Sequence, residues 1–193
     1  MKLVFATHNP KKIEEVQQML PAPFRLLSLY DIGCTDEIPE TGDTLEENAK
    51  LKADFVTATY GFDCFSDDTG LHIDALDGAP GVYSARYAGP QKNAADNMDK
   101  VLHLLEDISR RKAQFKTLVH LNFKGSSFVF EGSVHGEITT EKMGSGGFGY
   151  DPIFKPDGYA ETFGQLSPAI KNQISHRSEA IQKLISFLKN PSF

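Results

Sequence analysis

The segment FSDDTGL, residues 65–71, places two adjacent acids after an apolar run and before a glycine. If the apolar run at residues 61–65 is a strand, its side chains alternate between two faces, so Asp67 and Asp68 point to opposite sides. The pair then lies at the carboxyl end of the strand, where open α/β sheets place their ligands. A solvated turn is the alternative, because Asp-Asp-Thr-Gly is also favourable turn chemistry.

Crowded carboxylates are stable only where a cation or a proton neutralises them. Mg²⁺ prefers oxygen ligands and usually brings substrate phosphates with it. Glu40 lies in the loop before the second predicted helix, from which it can meet Asp68 across the end of the sheet and share a cation. The alternative for Glu40 is an ordinary acid of a surface loop.

Length and charge restrict the class of protein. The 193 residues fit one domain, or one domain with two lobes, and the net charge of −6 argues against a nucleic-acid-binding face. The cluster at residues 110–112 is predicted to be a solvated connection.

No apolar run reaches the length of a membrane span, and residues 1–6 are predicted to be a strand rather than a signal peptide. Cys34 and Cys64 are expected to be reduced thiols in a cytosolic protein.

The segment THNPKK, residues 7–12, predicts a capped helix after the first strand. Asn9 is a preferred N-cap, and Pro10 is favoured at the first helical position. Backbone N–H groups and the helix dipole favour an anion there, and Lys11 or Lys12 can add a charge for a phosphate. The segment is not a P-loop, since GxxxxGK[ST] is absent. A capped helix with solvated lysines is the alternative.

The other elements are predicted from caps and periodicity. Thr44 and Glu47 match a capping box, and the helix that they begin runs to about Tyr60. Later in the chain the apolar period changes from helical to alternating, which indicates a hairpin or meander. A mixed sheet with helices around it follows. The predicted strands are 3–6, 24–29 and 64–66, the helices are 10–20, 44–60, 91–108 and about 175–188, and the hairpin is 115–130.

Two segments near the carboxyl end have binding chemistry. Glycines around Phe148 and Tyr150 allow close approach of a ligand to the backbone and offer a stacking ring, although a buried aromatic plug is equally consistent. Lys171, His176 and Arg177 lie close in sequence, and the lysine and arginine are donors only, suited to carbonyl or phosphate oxygens. A structural role is the alternative for His176.

Six segments occur together and in order: THNPKK, ETG, FSDDTGL, GAPGVYSARYAG, GGFGYDPIF and K-NQISHR. The combination resembles the signature of the noncanonical purine nucleoside triphosphate pyrophosphatase family, the inosine/xanthosine triphosphatases. It extends from residue 3 to about 188. Thr69 stands where many relatives carry Ser, and it keeps the hydroxyl group.

The resemblance implies one α/β domain over residues 1–193, with an elongated mixed β-sheet flanked by helices and two lobes with a central cleft. It implies Mg²⁺-dependent cleavage of ITP, dITP and XTP between the α- and β-phosphates, giving the monophosphate and pyrophosphate. The expected protein is a cytoplasmic homodimer that cleanses the nucleotide pool and has no nucleic-acid or membrane partner.

The resemblance also implies roles for individual residues. Asp68 is the catalytic position, acting on the attacking water, with Asp67 supporting it. Glu40 and Asp68 would hold Mg²⁺. The implied substrate-binding residues are Thr7, His8, Asn9, Pro10, Lys11, Lys12, Thr69, Phe148, Gly149, Tyr150, Asp151, Lys171, His176 and Arg177.

Base selectivity has a physical explanation under this hypothesis. Hypoxanthine and xanthine carry a 6-oxo acceptor where adenine carries a 6-amino donor, so a donor such as Arg177 pairs with the first two only. A Maf-like pyrophosphatase with another base preference is one alternative, disfavoured by the SHR segment. A nucleotide-binding module without turnover is another, disfavoured because Asp68, Glu40 and Lys12 are all present. A structural interaction protein would not explain acids and cations at strand and helix ends.

Overall fold

The computed structural model describes residues 2–190, which form two compact units. Within these residues, the first unit comprises 2–68, 117–132 and 177–190, and the second comprises 69–116 and 133–176. The chain passes between the units inside three long strands and at the start of the last helix. Among the described residues, no helix has the length and apolar character needed to cross a membrane.

Helices and strands combine into an α/β fold with a mixed sheet, as the sequence predicts. Strand β1 pairs in parallel with β2 and β3, whereas β3–β4 and β6–β7 are antiparallel. The hydrogen-bonded order is β2-β1-β3-β5-β6-β7, with β4 paired to β3. The strands are β1 Lys2–Phe5, β2 Arg25–Leu27, β3 Cys64–Ile73, β4 Pro80–Gly81, β5 Lys112–Phe123, β6 Ser126–Ile138 and β7 Phe154–Pro156, and the helices are α1 Pro10–Met19, α2 Leu45–Tyr60, α3 Ala94–Leu104, α4 Pro168–Ile174 and α5 His176–Lys189.

The core of the first unit fixes the two faces of β3. Phe65 stacks on Phe5 of β1, with ring centroids 4.6 Å apart, in a cluster that also holds apolar residues of α1, β5 and α5. Cys64 points to the other face and lies in a cluster with Val56 of α2 and Cys34. Both cysteines are free, as expected, and both are buried. Because side chains alternate along a strand, the next two positions of β3 inherit these two faces.

The second unit has its own aromatic core. Phe115 of β5 packs against Phe154 and Phe163, at centroid distances of 4.7 and 6.4 Å. Val101 of α3 and Leu105, the residue that follows this helix, are buried in the same cluster. Ile174 of helix α4 packs against this core, and Tyr150, which follows the glycine-rich segment at residues 144–149, is buried in it. The sequence did not predict helix α4.

The prediction that the strand ends at Ser66 is wrong, and so is the alternative of a turn at the acids. Strand β3 continues to Ile73 because Leu71 and Ile73 are buried in the second unit and because β4 pairs with it. A Cβ at Gly70 would lie 2.8 Å from the carbonyl oxygen of Gly81, so the glycine allows close approach of β4 rather than a turn.

Two smaller predictions also need correction. The helix predicted over 91–108 ends at Leu104, and Ile108 is exposed rather than part of a buried stripe. Arg111 is not part of a merely solvated connection, because its guanidinium donates to the carbonyl oxygens of Ile138 and Thr139, as well as to that of Leu105.

Candidate active site

The two adjacent acids of β3 face different surroundings. Asp67 points, like Phe65, towards α1 and α5, where Lys12 and Arg177 contact its carboxylate. Asp68 points, like Cys64, towards α2, where Lys52 lies 3.7 Å from its Oδ1 atom. The predicted opposite orientation of the two carboxylates is therefore observed, although within a strand rather than at its end.

Asp67 is a fully paired carboxylate. Lys12 Nζ donates to Oδ1 at 2.8 Å, and Arg177 Nε donates to Oδ2 at 3.1 Å. Burial alone would raise the pKa of Asp67, but the nearby cations Lys12, Arg177 and Lys52 outweigh burial and hold it far below its usual range. Asp67 is therefore a permanent anion, and a carboxylate held so strongly in its charged form is a poor proton acceptor.

Asp68 has the opposite character. Burial raises the pKa of Asp68 above its usual value despite the nearby ammonium groups of Lys52 and Lys12. Its Oδ2 atom is buried and accepts no hydrogen bond. A carboxylate with raised proton affinity and an uncommitted oxygen is suited to accept a proton or to bind a cation.

Lys52 contacts both acidic residues of β3, and it was not predicted from the sequence. Its Nζ atom donates to Glu40 Oε1 at 2.5 Å and to the backbone carbonyl oxygen of Asp67 at 2.8 Å. Burial would lower the pKa of Lys52, but the carboxylates of Asp68, Glu40 and Asp67 together raise it. One sequence signal was available: Lys52 falls within the buried stripe of α2, where a lysine is unusual unless it is paired.

The predicted metal ligands, Glu40 and Asp68, are brought together through this shared ammonium group. Burial would raise the pKa of Glu40, but Lys52 outweighs burial and lowers it, so this carboxylate stays charged. Among residues 2–190, no group of three or more His, Cys, Asp or Glu side chains is arranged to hold a metal ion. The carboxylates of Glu40 and Asp68 nevertheless fit Mg²⁺, because the Oδ2 atom of Asp68 accepts no hydrogen bond. Mg²⁺ commonly takes one or two protein carboxylates and completes its coordination shell with water and phosphate.

The start of α1 has the predicted cap. The Asn9 side chain accepts from the backbone N–H groups of Lys11 and Lys12, and Thr7 Oγ1 accepts from Asn9 N at 3.2 Å. Pro10 occupies the first helical position, and the first turn contains no acid. The end of the helix therefore keeps the positive field that favours an anion.

The structure separates the residues of the THNPKK segment. Lys12 reaches Asp67, whereas the Lys11 side chain is 59% exposed and lies 3.7 Å from Glu14. His8 and Pro10 line a groove of about 450 Å³ beside Tyr30. Only Lys12 of the two predicted lysines joins the buried charged group.

A second group of predicted residues lies in the second unit around Asp151. Asp151 Oδ2 accepts from Lys171 Nζ at 2.7 Å and from the backbone N–H of Phe148 at 2.7 Å. Lys171 Nζ also lies 4.7 Å from the centre of the Phe148 ring. A Cβ at Gly147, where φ is +70°, would lie 2.0 Å from Asp151 Oδ2, so this turn requires glycine. The carboxylate thus fixes a cation and a half-buried aromatic ring side by side.

The remaining predicted residues of the second unit differ in their solvent exposure. Tyr150 is buried, and its hydroxyl donates to the carbonyl oxygen of Ser84 at 2.7 Å, so its ring is a core element as the plug alternative expects. His176 is buried and stacks on Phe115 at a centroid distance of 4.6 Å. Gly149 adopts a φ of +63° with open space at its Cβ position, and Thr69 is half-buried in β3.

Comparison with known proteins places the chain in a family. The model of the Ham1 family matches residues 3–187. The chain is 58% identical over 188 residues to the dITP/XTP pyrophosphatase of Flavobacterium johnsoniae, covering 97% of this chain and 98% of that protein. It is 44% identical to the dITP/XTP pyrophosphatase of Bacillus subtilis, covering 96% of each chain. The solved structure of the Staphylococcus aureus Ham1 protein matches with a TM-score of 0.90 and 38% identity over 100% of both chains. The chain belongs to the Ham1 family.

Proposed function

We propose that this protein is a nucleoside triphosphate pyrophosphatase that hydrolyses dITP, XTP and ITP to the monophosphate and pyrophosphate. Full-length identity of 58% to a protein named dITP/XTP pyrophosphatase supports this activity. The structural observation that carries it is Asp68, a buried carboxylate with a raised pKa and an unpartnered oxygen beside several cations. Phosphoanhydride hydrolysis needs this combination of a proton acceptor and positive charge.

The triphosphate is proposed to bind in the first unit, at the amino end of α1. Thr7 and Asn9 shape the turn, and the backbone N–H groups of the first helical turn favour an anion. Lys12, which is partly buried, and Lys52, which is buried, add two positive charges. Because these groups are already held by Asp67 and Glu40, little reorganisation is needed when the phosphates bind.

Glu40 and Asp68 are the residues proposed to hold Mg²⁺. When bound, the ion supplies charge neutralisation for the phosphates. Asp68 is proposed to accept the proton of the attacking water, because burial raises its proton affinity. Asp67 supports this reaction indirectly, by fixing Lys12.

The base is proposed to stack on Phe148, with donors reading its 6-oxo group. Lys171 lies beside that ring, held by Asp151. His176 and Arg177 remain proposed readers of the purine edge, and Gly149 gives the backbone room to approach it. A 6-amino group would leave these donors unpaired, which disfavours adenine.

The biological role proposed is removal of deaminated purine nucleotides from the cytoplasmic pool, by a homodimer without nucleic-acid or membrane partners. A Maf-like pyrophosphatase with another base preference and a nucleotide-binding module without turnover are the competing functions. Both are distinguished by the same substrate panel.

The test is to incubate the protein with Mg²⁺ and, separately, dITP, XTP, dATP, dGTP, dCTP and dTTP, to resolve the products by chromatography, and to measure nucleotide binding by calorimetry. Monophosphate and pyrophosphate from dITP and XTP, with dATP and dGTP nearly untouched, are expected. Diphosphate and phosphate would overturn the proposed cleavage position. Turnover of pyrimidine nucleotides alone would favour the Maf-like function, and binding without turnover would favour the module.

A further inference from the structure

Glu15 of α1 makes a partly buried contact that the proposed reaction does not use. Its Oε2 atom accepts a hydrogen bond from Arg177 Nη1 at 2.7 Å. The Arg177 side chain is only 2% exposed, and that of Glu15 is 17% exposed. Its neighbour Glu14 is different, since it is 63% exposed and lies 3.7 Å from the exposed Lys11.

The contact is one link in a chain of four charges. Glu15 binds Arg177, Arg177 Nε binds Asp67 Oδ2 at 3.1 Å, and Asp67 Oδ1 binds Lys12 Nζ at 2.8 Å. The signs alternate along the chain, so the formal charges of the four groups sum to zero. A buried ion is stable only when it is paired in this way.

The first and the last of these four charged groups lie on the same helix, α1. Glu15 and Lys12 are three residues apart on α1, a spacing that puts both side chains on one face of the helix. Arg177 comes from α5 and Asp67 from β3, so the four groups tie α1 to two other elements of the first unit. Lys12 and Glu15 are therefore the two terminal residues of one ion-pair network.

We propose that Glu15 is a positioning residue that acts through Arg177 and Asp67 to hold the Lys12 ammonium group at the amino end of α1. The inference rests on the proposed function, in which Lys12 binds the triphosphate. Arg177 thereby has a role on the phosphate side of the reaction in addition to any contact with the base. Without the Glu15 charge, Arg177 has one carboxylate fewer and competes more strongly with Lys12 for Asp67.

Loss of this charge has two expected consequences. A displaced Lys12 stabilises the transition state less well, and a displacement of about 1 Å can cost about a hundredfold in rate. The group also gains one uncompensated positive charge, which offsets the loss of phosphate binding in the ground state. The effect should therefore appear mainly in kcat rather than in KM.

The same charge change gives a readout in the pH profile. Lys12 is surrounded by the carboxylates Asp67 and Asp68 and by the cations Lys52 and Arg177. A less neutralised Arg177 lowers the pKa of Lys12, so the alkaline limb of kcat/KM should move to lower pH. A merely structural contact would change the unfolding midpoint without moving this limb.

The experiment compares Glu15→Gln with Glu14→Gln, which removes a charge from the next residue of the same helix. For Glu15→Gln with dITP and Mg²⁺, we expect kcat to fall by about ten- to a hundredfold and the alkaline limb to move to lower pH. Glu14→Gln should match the wild type in both. Equal behaviour of the two variants would overturn the inference, whereas a wild type without turnover of any nucleotide would refute the proposed function instead.

A second variant covers the case in which Glu15→Gln does not fold. Glu15→Asp keeps the charge and withdraws it from Arg177 by one methylene group. It should lower kcat while leaving the alkaline limb and the thermal unfolding midpoint close to those of the wild type. An unchanged kcat in a folded Glu15→Asp protein would contradict the positioning role.

Discussion

Asp67 and Asp68 are neighbours in sequence, yet their carboxylates have opposite properties. Two cations bind the side chain of Asp67, which keeps its pKa far below the usual range against the cost of burial. Asp68 is nearly as buried, but one of its oxygens accepts no hydrogen bond, and burial raises its pKa. The difference arises because alternate faces of β3 meet different helices.

This comparison separates structural stabilisation from reactivity. A carboxylate that is fully paired holds other groups in place, whereas a carboxylate that is left partly unpaired can take up a proton or a cation. Isosteric substitution of each acid by its amide tests this division, because the two variants should lose different properties.

The largest effect is expected for Asp68→Asn. An amide cannot accept the proton of water, and removal of a general base costs about 10²–10⁴-fold in rate. Since the surroundings of Asp68 disfavour its charged form, the free energy of unfolding should be unchanged or higher. Steady-state kinetics with dITP, chemical denaturation and nucleotide-binding calorimetry measure the three quantities. Retained turnover, or joint loss of folding and binding, would contradict a catalytic role.

Asp67→Asn should show the reverse pattern. It leaves Lys12 and Arg177 with one carboxylate fewer in a buried site, and breaking a buried ion pair costs about 3–5 kcal/mol of stability. The asparagine variant of Asp68 is the matched control. Urea denaturation of both variants at neutral pH measures the difference, and a smaller loss for Asp67→Asn than for Asp68→Asn would overturn the comparison.

The same pair differs in the pH dependence of stability. The folded pKa of Asp67 is depressed, so its contribution is present above the unfolded value of about 3.9 and is lost as the pH falls through the folded value. The wild type should therefore lose stability in acid below about pH 4, and Asp67→Asn should lose less over that window. Denaturation midpoints measured from pH 6 downwards test this, and parallel curves for the two proteins would contradict it.

Local signals in the sequence predicted much of this arrangement. The Asn9 cap and the capping box of Thr44 and Glu47 are observed where they were predicted, because both depend on contacts within one helical turn. The opposite orientation of the two acids follows from strand periodicity alone. The end of β3 was misplaced because its continuation depends on pairing with β4 and on burial in the second unit, which are non-local.

Side-chain partners were harder to predict than elements. Glu15 looks like an ordinary charged residue of a surface helix, and only its neighbours in three dimensions distinguish it from Glu14. Lys52 differs from Lys50 already by its place in the apolar stripe of α2, but its partners could not be predicted. The family resemblance also grouped Arg177 with the base-reading residues, whereas the guanidinium of Arg177 donates to carboxylates of α1 and β3.

The smallest effect is expected for Lys52→Gln, which removes the ammonium group beside Asp68. Lys52 opposes the rise in the Asp68 pKa, so its loss should raise that pKa further and move the acid limb of kcat/KM to higher pH. At the optimum pH we expect a loss of about tenfold, or about 1.4 kcal/mol of transition-state stabilisation.

Lys50→Gln is the matched control, because Lys50 lies on the same helix and its side chain is 55% exposed beside Asp54. It should leave the acid limb in place. The Asp67 side of β3 should be little affected by Lys52→Gln, because Lys12 and Arg177 still hold that carboxylate. If the acid limb stayed in place while stability fell as far as in Asp67→Asn, then Lys52 would belong to the structural face, and the division between the two acids would not hold.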